Sequence, residues 1–271
     1  MHPDEMNLKA TVLALEACAR NTFRMRLHQP AIAGKARAGQ FVNLRVPDCQ
    51  EILWRRPFSI HRTDPGQGCF DLLFHVVGRG TRALGRIEKG TELDLLGPLG
   101  NGFEIRKTTK RALLVAGGLG IAPFALLLTA MRDEVPDIGL FYGVESREDL
   151  IALDQFKGPG IRHYLTTRDG SEGVRGVITD LVERELEKME RREACELYVC
   201  GPKAMLVRVQ ELVEHFGVRA QVSVENTMAC GFGACMGCAV TMAGAKDANE
   251  RYLLACTDGP VFMMDEIVFD A

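Results

Sequence analysis

Ala112-Leu113-Leu114-Val115-Ala116-Gly117-Gly118-Leu119-Gly120-Ile121-Ala122-Pro123 is the stretch on which the reading of the fold turns. Its first five residues form a continuous apolar run, the pattern of a parallel strand buried on both faces. The glycines that follow permit a tight turn. Pro123 suits the opening of a helix, where its missing N–H removes nothing. Strand, glycine turn and helix in that order place a candidate phosphate loop at the strand's carboxyl end, because glycines admit a pyrophosphate and a helix N-terminus favours its charge. A glycine turn alone is equally compatible with a mere tight corner, so the surrounding sequence has to carry the argument.

Downstream, the alternation continues. A helix is expected from Pro123 to about Arg132, then strands at Ile138–Tyr142, Ile161–Thr166, Leu197–Cys200 and Ala220–Val224. Helices are expected at Ser146–Phe156, Ile178–Lys188 and Lys203–Phe216. Strands alternating with helices imply a doubly wound parallel sheet, a nucleotide domain over residues 106–224. Cys200-Gly201-Pro202 closes a second strand, and ligands bind such sheets at strand carboxyl ends.

Upstream, the pattern changes to short segments that often alternate apolar with polar, among them Thr11–Leu15, Thr22–Leu27 and Phe41–Val46. Turn-forming clusters such as Gly39-Gln40, Pro47-Asp48 and Asp64-Pro65-Gly66 separate them. This predicts an N-terminal antiparallel β-barrel over residues 1–105, interrupted by a short helix near Thr81–Ile87. The polar, basic stretch Glu104–Lys110 makes the linker. Within the barrel, Arg56-Pro57-Phe58-Ser59 and the glycine loop Gly78-Arg79-Gly80-Thr81 together suggest a second dinucleotide site.

From Glu225 onward, residues 225–271, glycines and cysteines dominate and no long amphipathic helix is readable. Cys230-x4-Cys235-x2-Cys238 with a separate Cys256 is the plant-type [2Fe-2S] spacing. Four thiolates must converge on two irons, and the bridging sulfides need backbone N–H donors. Gly231, Gly233, Ala234 and Gly237 supply such donors without bulky side chains. Structural zinc is the competing reading, although zinc ribbons pair two Cys-x2-Cys knuckles and only one is present. The remaining cysteines, Cys18, Cys49, Cys69, Cys195 and Cys200, read as small buried hydrophobes.

Composition excludes several classes. Of the 271 residues, 46% are hydrophobic and 25% charged, and the net charge is −3, so there is no basic footprint for nucleic acid. The longest apolar runs are broken by glycine and proline well short of the roughly 20 residues of a membrane helix. The start Met1–Glu5 lacks a signal peptide's basic end and apolar stretch, so a cytoplasmic protein is expected.

A barrel with Arg-x-x-Ser, then Gly-Gly-x-Gly-x-Ala-Pro, then Cys-Gly-Pro resembles the ferredoxin–NADP reductase superfamily over nearly the whole chain. More narrowly, Arg55–Ile60, Leu96-Gly97-Pro98-Leu99-Gly100-Asn101-Gly102-Phe103 and the C-terminal Cys-Gly-Phe-Gly-Ala-Cys-Met-Gly-Cys resemble the iron–sulfur and FAD-containing electron-transfer subunits of the NAD-dependent (type 1B) bacterial dihydroorotate dehydrogenases. Ferredoxin proper usually has a longer gap before its fourth cysteine than the 17 residues between Cys238 and Cys256.

The resemblance implies that Arg56 pairs with the FAD pyrophosphate and Ser59 hydrogen-bonds the reactive flavin edge. Pro57 and Phe58 would line the flavin ring, where many superfamily members carry a stacking tyrosine at the site of Phe58. His75, Val76 and Val77, with Gly80 and Thr81, would hold the rest of FAD. Gly118, Gly120, Cys200 and Gly201 would take NAD, and Cys230, Cys235, Cys238 and Cys256 the cluster. Asp169, Glu145 and Glu148 oppose the charge of Arg168, which favours NAD over NADP. The implied route runs from an FMN-containing partner that oxidises dihydroorotate, through [2Fe-2S] and FAD to NAD+, in a heterotetramer of two chains of each type. Met228, Phe232 and Met236 would face that partner. No acid–base residue is required, and His61 and His75 are read as structural or flavin-contacting. The alternatives are a subunit of a hydrogenase or ferredoxin:NADP transhydrogenase, an oxygenase reductase, and a zinc-stabilised nucleotide-binding regulatory module.

Overall fold

The computed structural model describes residues 7–47, 52–190, 192–244 and 252–269. Met1–Glu5, Asp48 and Cys49 lie outside the described residues. The first third closes into a six-stranded antiparallel barrel. Its strands are β1 (Asn7–Ala19), β2 (Thr22–His28), β3 (Phe41–Leu44), β4 (Arg56–Asp64), β5 (Cys69–His75) and β6 (Glu92–Leu99), in the order β1-β2-β5-β4-β3-β6. Closure removes the open sheet edges. Two six-residue helices, α1 (Pro30–Lys35) and α2 (Arg79–Leu84), fill the longer connections.

The second part is the expected parallel sheet. Strands β7 (Arg111–Gly117), β8 (Asp137–Val144), β9 (Ile161–Thr167), β10 (Val174–Arg175), β11 (Cys195–Cys200) and β12 (Arg219–Ser223) pair in parallel, in the order β10-β9-β8-β7-β11-β12. Helices α3 (Phe124–Met131), α4 (Ile178–Glu187) and α5 (Lys203–Phe216) cover it. Ala112 to Ala116 are fully buried, as the unbroken apolar run requires. Among the described residues no helix is long and apolar enough to cross a membrane.

Two features differ from expectation. The helix anticipated over Ser146–Phe156 is two separate 3₁₀ turns, Arg147–Asp149 and Leu153–Phe156. The Asp149 carboxylate accepts from the Ser146 backbone N–H at 3.1 Å and from its hydroxyl at 2.8 Å, a capping arrangement that opens a helical turn, but Leu150 turns extended and ends it after that turn. The chain then runs extended to bury Ile151. The C-terminal segment also contains strands: a hairpin of β13 (Ala239–Thr241) and β14 (Tyr252–Leu254), and β15 (Val261–Met263). Strand β15 pairs antiparallel with β12 and becomes the seventh strand of the parallel sheet.

The parts are locked together by specific polar contacts. Arg20, in the β1–β2 turn, grips the Asp149 carboxylate through both Nε (2.9 Å) and a terminal nitrogen (2.7 Å). His61 of β4 is fully buried, with Nδ1 2.7 Å from the Ala122 carbonyl and Nε2 2.9 Å from Gln155 Oε1. Burial pushes its pKa down to about 4, so the imidazole is neutral at ordinary pH.

Candidate functional site

The flavin-motif strand and the glycine turn face one another across a cleft of about 1220 Å³. Arg56, Pro57, Phe58 and Ser59 of β4, His75 at the end of β5, and Val77 and Thr81 line its barrel side. Gly118 and Cys200, at the carboxyl ends of β7 and β11, line the opposite side. A smaller adjoining recess of about 390 Å³ is lined by Arg56, Gly80, Thr81 and the exposed Trp54.

Local chemistry prepares several of these groups. Arg56 donates to the carbonyls of Trp54 (2.8 Å) and Arg55 (3.2 Å), and no carboxylate neutralises it among the described residues. Such a guanidinium is free to meet an anion. The Thr22 hydroxyl donates to the Arg20 carbonyl at 3.0 Å, so it accepts from His75 Nδ1 at 2.9 Å. In the neutral imidazole, that assignment leaves His75 Nε2 as an acceptor. Thr81 uses its hydroxyl inside its own loop, accepting from the N–H groups of Val77 (3.0 Å) and Gly78 (3.2 Å). The Phe58 ring tilts against Phe74, centroids 5.7 Å apart.

Three expected contacts lie behind the wall instead. Val76 packs against the barrel core and does not line the cleft. Gly120 and Gly201 are glycines for packing. A Cβ on Gly120 would fall 2.1 Å from the Cys200 carbonyl oxygen, and one on Gly201 would fall 2.9 Å from the Gly117 nitrogen. Their absent side chains bring the two loops into contact, whereas Gly118, with φ +54°, has open space around it.

Glu225 was not singled out by sequence. It stands on the cleft wall just beyond β12, and the surrounding protein raises its carboxyl pKa above the ordinary value. Thr166 at the end of β9 also lines the cleft with a buried hydroxyl that has no hydrogen-bond partner among the described residues. The end of a parallel strand was the available signal for Thr166, but nothing in the residues around Glu225 marked it. Arg168 Nε lies 3.8 Å from a Glu145 carboxylate oxygen, both side chains well exposed.

Beyond the cleft, the four C-terminal cysteines gather in two pairs. The Cys235 thiol helps to lower the pKa of Cys230, and Cys238 helps to raise that of Cys256, so each thiol has the other of its pair as a neighbour. Two pairs suit two irons with two thiolates each. Among the described residues, no three His, Cys, Asp or Glu side chains stand close enough to hold a single metal ion. Gly231 and Gly233, at φ +83° and +86°, turn the loop so that its amides point inward. Burial raises the Cys230 pKa, but the N–H groups of Phe232, Ala234 and Cys235 and the Cys235 thiol outweigh it and bring it to about 7. The Gly233 N–H donates to Cys256 Sγ at 3.1 Å. Cys256 is pushed up to about 12 by burial and by its neighbour Cys238. Paired thiols with inward amides fit an iron–sulfur cluster. Phe232 and Met236 are exposed around this loop, but Met228 is buried against Phe41 and Leu99, so packing explains it.

Residues 10–103 match the oxidoreductase FAD-binding domain family, and residues 114–211 the oxidoreductase NAD-binding domain. Residues 225–268 match the iron–sulfur cluster binding domain of dihydroorotate dehydrogenase B. The chain is 34% identical, over 262 residues, to the dihydroorotate dehydrogenase B (NAD(+)) electron transfer subunit of Desulforamulus reducens, covering 96% of this chain and 98% of that one. The chain belongs to the dihydroorotate dehydrogenase B electron-transfer subunits.

The Fusobacterium nucleatum member of this family is 34% identical over 251 residues, 92% of this chain and 93% of its own. Membership makes this chain an oxidoreductase subunit with FAD-, NAD- and iron–sulfur-binding domains. Among solved structures, a chain of the NADH-dependent reduced ferredoxin–NADP oxidoreductase, described for flavin-based electron bifurcation, superimposes with TM-score 0.84 at 31% identity. The match spans 96% of this chain and 90% of that one. The ferredoxin reductase of carbazole 1,9a-dioxygenase, at 23% identity and TM-score 0.68, covers 78% of this chain and 66% of its own and shares the fold.

Proposed function

We propose that this chain carries electrons from dihydroorotate oxidation, performed on an FMN-containing partner subunit, through a [2Fe-2S] cluster and FAD to NAD+ in the cytoplasm. In this reading residues 1–105 hold FAD, 106–224 hold NAD, and 225–271 hold the cluster in a heterotetramer of two chains of each type. The observation that carries it is the placement of two thiol pairs beside a cleft whose opposite walls bear the flavin strand and the glycine turn.

When bound, FAD exchanges a hydride with the nicotinamide and single electrons with the cluster. The chain's own residues bind and orient. Arg56 meets the FAD pyrophosphate, and Ser59 with the Pro57–Phe58 backbone lines the flavin ring. His75 offers Nε2 as an acceptor, with Val77 and the Gly80–Thr81 loop completing that side. Gly118 and Cys200 receive the nicotinamide nucleotide, while Gly120 and Gly201 keep their loops together. Cys230 and Cys235 would hold one iron, Cys238 and Cys256 the other. The exposure of Phe232 and Met236 supports a partner seated over the cluster loop. Glu145 beside Arg168 favours NAD over a 2′-phosphorylated nucleotide.

The first test is an absorption spectrum with iron, sulfide and zinc analysis on anaerobically purified protein, followed by turnover with each nucleotide. About two irons and two sulfides per chain, bound flavin and preference for NADH are expected. A colourless zinc protein would sink the reading. A second reading is a homologous subunit of a ferredoxin- and NADP-linked complex, favoured by the 31% identity over 96% of the chain to the bifurcating oxidoreductase. Co-purification separates them: the first expects an FMN-binding barrel that oxidises dihydroorotate.

A further inference from the structure

Besides the apolar contact of Phe41 and Leu99 with Met228, Cys238 and Cys256, the cluster segment meets the flavin barrel at two short polar seams, and an asparagine makes each. Asn43 lies on β3 directly opposite Pro57 of the flavin strand, with no exposed surface. Its Nδ2 donates to the carbonyls of Cys230 (3.0 Å) and Ala229 (3.3 Å). Gly231 rests on the same amide, and a Cβ there would come within 2.6 Å of Nδ2. Reversing the amide would set its oxygen against two carbonyl oxygens, so the orientation is fixed. Asn43 Oδ1 is buried and has no hydrogen-bond partner among the described residues.

The second seam lies just past β6. Asn101 Nδ2 donates to the carbonyls of Asp258 (2.8 Å) and Thr257 (3.3 Å), and its backbone N–H to Gly259. At Gly100, φ +73°, a Cβ would stand 2.7 Å from the Gly259 oxygen. One seam therefore grips the chain at the first cysteine, and the other grips it just after the fourth. Both spring from β3 and β6, which pair with each other, Asn43 opposite Leu96.

We propose that Asn43 and Asn101 are positioning residues that fix the cluster's distance from the flavin strand, with Asn43 controlling the rate of electron passage between them. Neither side chain touches a thiol. The inference rests on the function proposed above and assigns these residues within it.

Asn43→Asp keeps the shape but turns the donor into an acceptor facing two carbonyls. Asn101→Ala removes the second grip at an exposed position. In the assembled holo complex, iron and sulfide content, the rate of flavin bleaching by NADH, and the growth of the reduced cluster's EPR signal in freeze-quenched samples are measured separately. Flavin bleaching is expected to stay at the wild-type rate. Cluster reduction is expected to slow roughly tenfold or more in Asn43→Asp and about threefold in Asn101→Ala, the scale of losses from misplacement. Wild-type cluster reduction in the loaded fraction of Asn43→Asp would overturn the proposal, even if that variant holds less iron. Should Asn43→Asp retain no cluster, a wild-type rate in Asn101→Ala overturns it. Wild-type protein lacking flavin or cluster would instead sink the underlying functional reading.

Discussion

The nucleotide domain and the cluster segment share one sheet but are held by different forces. Strands β7 and β11 are lined on both faces by residues such as Leu113, Leu114, Val115, Leu197 and Val199, all with no exposed surface. Burying each such side chain contributes about 1.5–3 kcal/mol, so that region folds on apolar burial. The cluster segment's own core contains Phe41 and Leu99, borrowed from the barrel, beside Met228, Ala255 and the thiols of Cys238 and Cys256. On the ligand set proposed above, the segment counts ligands among its core residues and draws part of its order from ligation, beside Phe262, Met264 and Ile267, which are buried with the nucleotide domain.

The sharpest way to break this contrast is to remove a ligand. Cys238→Ser should abolish the cluster and all electron passage between the partner and the flavin, while NADH still bleaches the flavin. Iron analysis and NADH titration check it, and a variant holding wild-type iron would refute the ligand assignment. A smaller effect is expected at Glu196, a fully buried carboxylate that joins the linker to the sheet. Its oxygens accept from Arg106 and Thr109 (both 3.0 Å), Arg219 (3.0 Å) and Gln221 (2.9 Å). Burial opposes its ionisation, but these donors outweigh it and hold the carboxyl below its usual pKa. Glu196→Ala should cost about 3 kcal/mol in denaturant unfolding and leave the iron content unchanged. Equal losses of iron and stability would show that the two regions are not independent.

The smallest expected effect is a pH dependence from His61. With a folded pKa of about 4 against the ordinary 6.5, the unfolded chain binds a proton that the native state refuses. Stability should fall as pH drops from 6.5 towards 4, by about 2 kcal/mol between pH 7 and pH 5. His61→Gln should flatten that component in melts at the two pH values. An unchanged slope would mean that other groups set the acid response.

Much of this was legible in the residues. The run Ala112–Ala116 and the Lys203–Phe216 helix announce themselves because burial on a regular element imposes a period. The cysteine spacing announces itself because thiolates have few other reasons to recur at that spacing. The helix expected over 146–156 was misread because Ser146 and Asp149 do form a helix start, while the turn ends at Leu150 and Asp149 is held by Arg20, a distant partner that a local pattern does not display. The glycine turn was legible, but not the division of labour within it. Gly118 faces the cleft, while Gly120 serves contact with Cys200 on another strand. Asn43 was invisible for the same reason, since its partners Ala229 and Cys230 lie nearly two hundred residues away.

The return of β15 to the outer edge of β12 gives the last strand a guardian role. Its three residues cover backbone groups that would otherwise stand as an open, pairing-competent edge beside a large hydrophobic sheet. The tether that delivers β15 runs straight from Cys256, through the carbonyls gripped by Asn101. On the proposed ligand set, a chain that fails to assemble its metal centre would keep that cap only by the pairing with β12 and the burial of Phe262, Met264 and Ile267, and so would bare its sheet edge more readily.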